Sequence, residues 1–118
     1  MTSNPPPRLI LASTSPYRRA LLERLGLPFR CLAPEFDEDA MKGEGRDPLD
    51  LAEALAEGKA RAVFAREPDA VVIGSDQLAE LDGRIFGKPG DAAGAVEQLA
   101  SMAGRTHRLV TAMVVLGP

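Results

Sequence analysis

The run Leu9-Ile10-Leu11 is apolar and short, cut off by Ala12 and three hydroxyl-bearing residues, Ser13, Thr14 and Ser15, before Pro16. No other stretch limits the fold so tightly. The run fits a buried strand, although periodicity alone leaves a helical turn open. Ser15 reads as a helix N-cap and Pro16 as the first helical residue, where the missing N–H costs nothing. Leu21, Leu22 and Leu25 recur at helical spacing, and Gly26 with Pro28 beyond it predicts the stop. A strand, a hydroxyl turn and a helix in that order make an anion site. The first N–H groups of a helix lack partners, and its dipole favours negative charge there. Arg18 and Arg19 lie in the first turn, where that dipole disfavours cations unless an anion is bound. Their planar forks suit phosphate or carboxylate oxygens. Two solvated arginines on a capped surface helix are the other reading.

The chain has 118 residues, one domain's worth, and 45% of them are hydrophobic, which excludes global disorder. Its net charge of -3, with acids and bases interspersed, gives no basic stripe for duplex nucleic acid. Any basic site must be local. Cys31 is the only cysteine, so no internal disulfide or thiol-rich zinc site is expected. No charged n-region followed by an apolar h-region is seen in the first residues, and no apolar run reaches the ~20 residues that span a bilayer. A soluble, reducing, cytoplasmic setting without a membrane partner is expected.

Along the chain, residues 1–7 form a proline-rich arm expected to be flexible, and 8–118 form the domain. Phe29 to Ala33 reads as a second strand, and Pro34 to Asp47 as a long acidic loop. Asp47-Pro48 opens a helix on which Leu51, Ala52, Leu55, Ala56, Lys59, Ala60 and Val63 make one stripe. Gly58 interrupts it at about 1 kcal/mol relative to alanine, so close packing or a ligand is expected to need the room. Ala70 to Gly74 is apolar and β-branched, a central strand that Ser75-Asp76-Gln77 is expected to end. Leu78–Leu81 and Arg84–Phe86 flank Asp82-Gly83 as a hairpin. Asp91 is expected to cap a further helix, and Leu109 to Leu116 to form a last strand. Together these predict an α/β domain with a mixed twisted sheet, flanking helices and a β-hairpin.

In open sheets ligands gather at the carboxyl ends of strands. If the strands before Ser13–Arg19 and Ser75–Gln77 are parallel neighbours, both segments face one pocket. Asp76, leaving a buried strand, is then a general base or a metal ligand; a turn cap is the alternative. Glu35, Asp37, Glu38 and Asp39 read first as a solvated acidic loop, and beside phosphate as candidate ligands of Mg²⁺. Lys59 either snorkels to water or contacts phosphate, and Lys88 in its Gly-Lys-Pro-Gly loop has the same two readings. His107 lacks an obvious partner and is set aside.

These segments together resemble the Maf family of nucleotide pyrophosphatases. The likeness is carried by LILASTSPYRRALLERLGLPF, the PEFDE of residues 34–38, LAEALAEGKA, IGSDQ at 73–77, DGRIFGKP at 82–89 and AGRTHRLVTAMVVL. It implies a Maf/ITPase-like fold and hydrolysis of a nucleoside triphosphate between its α- and β-phosphates, with Mg²⁺ or Mn²⁺ as cofactor. By the same resemblance Asp76 is the proton acceptor. Ser13, Arg18, Arg19, Lys59 and Lys88 hold phosphates, and Glu38 with Asp76 holds the metal.

Tyr17 and Gln77 resemble the subgroup acting on 7-methyl-GTP. An aromatic face can stack on a cationic methylated purine, and an amide can read a base edge. Family members are longer, so the resemblance also implies that the C-terminal part of the fold is absent here. A sheet edge left open in this way invites a homodimer. The competing reading is a weak or inactive nucleotide-binding fragment with a regulatory role in cell division.

Overall fold

The computed structural model describes residues 8–42, 47–81, 84–86, 93, 96–97, 100, 103–104 and 108–118. The elements are β1 (Leu9–Leu11), α1 (Pro16–Glu23), β2 (Arg30–Cys31), α2 (Asp39–Lys42) and α3 (Pro48–Phe64), then β3 (Val71–Leu81), β4 (Arg84–Phe86) and β5 (Arg108–Leu116). Among the described residues five strands form one mixed sheet in the order β2-β1-β3-β4, with β5 also paired to β3. β1 runs parallel to β2 and β3, whereas β4 and β5 run antiparallel to β3. The mixed α/β sheet and the hairpin are as the sequence predicts. The arm, the Asp82-Gly83 turn, Lys88, Asp91 and His107 lie outside the described residues.

β3 is the axis of the domain. β5 pairs with it from Val72 to Glu80, filling one edge. The other edge is shared: β1 takes Val71–Ile73 and β4 takes Ala79–Leu81. Between them β1 leaves the sheet, its last bond running from the Ala12 N–H to the Ile73 carbonyl at 2.8 Å. The hydroxyl turn therefore departs beside the middle of β3, where Ser75, Asp76 and Gln77 lie. Contrary to the expectation from sequence, these three do not end the strand, which runs on to Leu81. β5 continues to bond their backbones, and strand alternation lets polar side chains be accommodated on either face.

α3 covers one face of the sheet. Asp47 caps it, accepting from the Leu49 N–H at 3.1 Å, and Pro48 occupies the first turn. Leu51, Ala52, Leu55, Ala56, Lys59, Ala60 and Val63 are all buried. The apolar ones pack in two clusters, Ala60 and Val63 with Ile10, Ala12, Ala70 and Val72, and Leu51, Ala52, Leu55 and Ala56 with Leu78 and Ala112. Each large aliphatic side chain so buried stabilises the domain by roughly 1.5–3 kcal/mol. Gly74 lets the helix approach: a Cβ there would stand 2.8 Å from Ala60 Cβ, and closer still to the Ala56 carbonyl oxygen.

Two expectations are corrected in extent. The second strand shrinks from Phe29–Ala33 to Arg30–Cys31, because β1 offers only Ile10 and Leu11 for pairing. α1 ends at Glu23, with Gly26 at φ +71° beyond it, and buries none of its residues. Leu21 and Leu25 stay exposed, so their helical spacing marks a stripe that no described residue covers. The opposite face of the sheet is also open, with Leu109, Met113 and Val115 of β5 exposed.

Candidate active site

The hydroxyl turn builds the floor of a cavity of about 540 Å³, within the size range of ligand sites. Ser13 is buried, and its Oγ accepts from the Ser15 N–H at 3.0 Å. Ser15 Oγ in turn accepts from the Arg18 N–H at 3.4 Å, capping α1. Ala12 to Pro16 and Arg18 line this side. The facing wall comes from Ala33, Pro34, Phe36, Asp37 and Glu38 of the acidic loop, with Lys59 of α3 beneath.

Lys59 joins the two walls to the sheet. Its Nζ donates to Asp76 Oδ1 at 2.8 Å and lies 2.6 Å from Glu38 Oε1. All three groups come from different elements. Lys59 and Asp76 are 8% and 7% exposed, so the pair is largely desolvated and its charges interact strongly. The other oxygen of Asp76, Oδ2, is buried with no hydrogen-bond partner among the described residues. A buried carboxylate oxygen without a donor is costly, and this one lies behind Lys59 rather than on the cavity wall. Glu38 and Asp76, both held by Lys59, are the donor type that a Mg²⁺-type ion takes, a few carboxylates with phosphate and water completing its shell. Among the described residues no group of three or more His, Cys, Asp or Glu side chains is gathered to hold a metal ion, here or elsewhere.

The residues singled out in the sequence thus divide. Ser13, Arg18, Glu38 and Lys59 share the cavity, and Asp76 sits behind Lys59. Arg19 instead pairs along its own helix with Glu23, at 3.2 Å. Tyr17 is exposed and does not line the cavity. Gln77, one residue past Asp76, points to the other face of the sheet and donates to Thr111 Oγ1 at 3.1 Å. Lys88 lies outside the described residues. The grip of two carboxylates on Lys59 was not legible in advance, since the sequence offered it only as a phosphate contact or a solvated side chain. Phe36 as a wall residue was also missed.

The model of the family described as "Maf-like protein" matches residues 8–118. The chain belongs to the Maf family. Similar relatives include a protein named 7-methyl-GTP pyrophosphatase from Xanthomonas axonopodis pv. citri, 57% identical over 112 residues, covering 95% of this chain and 58% of the relative. A protein of the same name from Albidiferax ferrireducens is 55% identical over 109 residues, covering 92% of this chain and 54% of the relative. A third, from Cupriavidus pinatubonensis, is 51% identical over 116 residues, covering 98% and 57%. The chain spans little more than half the length of these curated Maf relatives. Among the described residues no helix is long and apolar enough to cross a membrane.

Proposed function

We propose that this Maf domain hydrolyses a nucleoside triphosphate between its α- and β-phosphates, yielding a nucleoside monophosphate and pyrophosphate. The observation that carries the reading is the Glu38–Lys59–Asp76 cluster, set against a cavity floored by a hydroxyl turn and the start of α1. The names of the relatives support 7-methyl-GTP, or another modified nucleotide, as the substrate.

In this reading Ser13, the α1 N-terminus and Arg18 cradle the phosphates, with Lys88 as a further contact and Arg19, engaged by Glu23, outside the cradle. Asp76 Oδ2 orients a water and takes its proton as the oxygen attacks the α-phosphorus. The bond from that phosphorus to the α–β bridging oxygen breaks, and pyrophosphate leaves with the electron pair. Lys59 fixes the Asp76 carboxylate through Oδ1, leaving Oδ2 for this work. Mg²⁺ or Mn²⁺ held by Asp76 and Glu38 would neutralise charge on the phosphates. Tyr17, exposed on α1, is free to stack on a base.

Pyrophosphate release measured over 7-methyl-GTP, GTP, dTTP and UTP with Mg²⁺ tests the proposal. Selective release from 7-methyl-GTP is expected. Triphosphate binding with no release from any of the four would instead favour the nucleotide-binding fragment.

A further inference from the structure

The acidic loop carries Glu38 to Lys59 without regular structure of its own between Leu32 and Asp37. At its start the Leu32 N–H donates to the Leu11 carbonyl at 3.0 Å, and at its end Met41 N–H donates to the Glu38 carbonyl at 3.1 Å. Between those points the large apolar side chain is Phe36. It packs on the cluster of Leu51, Ala52, Leu55 and Ala56. Its ring lies on the bare backbone of Gly58: a Cβ there would stand 2.5 Å from Cε2, 2.7 Å from Cε1 and nearer still to Cζ. Gly58 directly precedes Lys59. The loop is therefore docked on the same turn of α3 that presents the lysine.

Phe36 and Glu38 are two residues apart in non-helical chain, and both are half-buried, while Asp37 between them is exposed. This alternation turns both side chains toward α3. We propose that Phe36, seated on Gly58, is a positioning residue that holds Glu38 against Lys59 and so sets the geometry of the cluster. Its kinetic consequence rests on the pyrophosphatase reading above; its structural content does not. Glycine inside an exposed helix is otherwise a liability of about 1 kcal/mol against alanine, so an added methyl would help this helix were the ring elsewhere.

The test is a size-swap cycle in the full 118-residue chain: Gly58→Ala, Phe36→Val and the two together. Hydrogen exchange of peptides covering residues 34–42 reads the loop directly and needs no turnover. Each single change should speed exchange there several-fold, and the double should return toward wild type as the alanine methyl fills the space left by the ring. In turnover, Gly58→Ala should lower kcat about tenfold or more with KM little changed, since misplacing a reacting group by 1 Å costs on the order of 10²-fold. In a Glu38→Gln background Gly58→Ala should take nothing further from kcat, because it acts through Glu38. Unchanged exchange in Gly58→Ala, or a double variant worse than either single, would overturn the positioning role. A wild-type chain that binds but never hydrolyses triphosphate would remove the pyrophosphatase reading, and the exchange cycle would still decide this one.

Discussion

Lys59 Nζ and Asp76 Oδ1 meet at 2.8 Å across the interface of α3 and β3, both nearly withdrawn from solvent. Helical spacing puts Lys59 on the buried stripe of α3, and strand alternation puts Asp76 on the face that this stripe covers. Charges so placed are tolerated when paired, and Glu38 completes the pairing at 2.6 Å. The site is thus part of the core.

Replacing Lys59 with Met should leave the buried Asp76 carboxylate without the cation that holds it. Removing one partner of a buried pair costs about 3–5 kcal/mol. Denaturant unfolding at neutral pH should show that loss, and Lys59→Met with Asp76→Asn should recover most of it. Equal stability of wild type and Lys59→Met would contradict the pairing.

Gly74→Ala should push α3 off the sheet, since the new Cβ would stand 2.9 Å from the Ala60 nitrogen and press on the Ala56 carbonyl oxygen. Backbone cannot yield there as a flexible side chain would. Overpacking of this kind costs about 1–3 kcal/mol. Thermal unfolding should fall, with turnover falling further because Lys59 and Asp76 separate; a neutral result would mean that the helix has room to spare.

Arg18 and Arg19 should not be equivalent. Arg18 lines the cavity, whereas Arg19 is engaged by Glu23 on the helix surface. A charged hydrogen bond contributes about 1.5–3 kcal/mol, so Arg18→Ala should weaken triphosphate binding roughly tenfold or more. An exposed pair contributes under about 1 kcal/mol, and Arg19→Ala should do far less. Calorimetric titration of both variants decides this, and equal losses would return Arg19 to the phosphate site.

Much of this arrangement is legible in the sequence. Ser15-Pro16 and Asp47-Pro48 announce their helices by capping chemistry, and the stripe from Leu51 to Val63 gives α3 its buried face. Other features depend on partners distant in the chain. Ser75, Asp76 and Gln77 look like a strand's end because polar residues usually are, yet pairing with β5 carries the strand through them. Leu21 and Leu25 promise a packed helix that nothing described completes. The fit of Phe36 on Gly58 is a contact between a loop and a helix, and no local propensity encodes it.

Glu67 ties the start of β1 to β2 through Arg8 at 3.0 Å and Arg30 at 2.9 Å. Desolvation pushes its carboxyl up, but the Arg8 charge and the hydrogen bonds from both arginines prevail and hold it below the ordinary 4.5. A lowered carboxyl stabilises the fold above its ordinary value, and that share is lost as pH falls through the lowered one. Glu67→Gln should therefore be less stable than wild type at pH 7, and the gap should close in acid and narrow in high salt. A gap that stays constant with pH would contradict the ion pair.

The most direct test of the account compares wild type with Asp76→Asn, measuring pyrophosphate release from 7-methyl-GTP and triphosphate binding side by side. Loss of a general base costs about 10²–10⁴-fold, so release should fall by that factor while binding stays within severalfold of wild type. Undiminished release by Asp76→Asn would contradict the assignment of Asp76 as the base and the mechanism built on it.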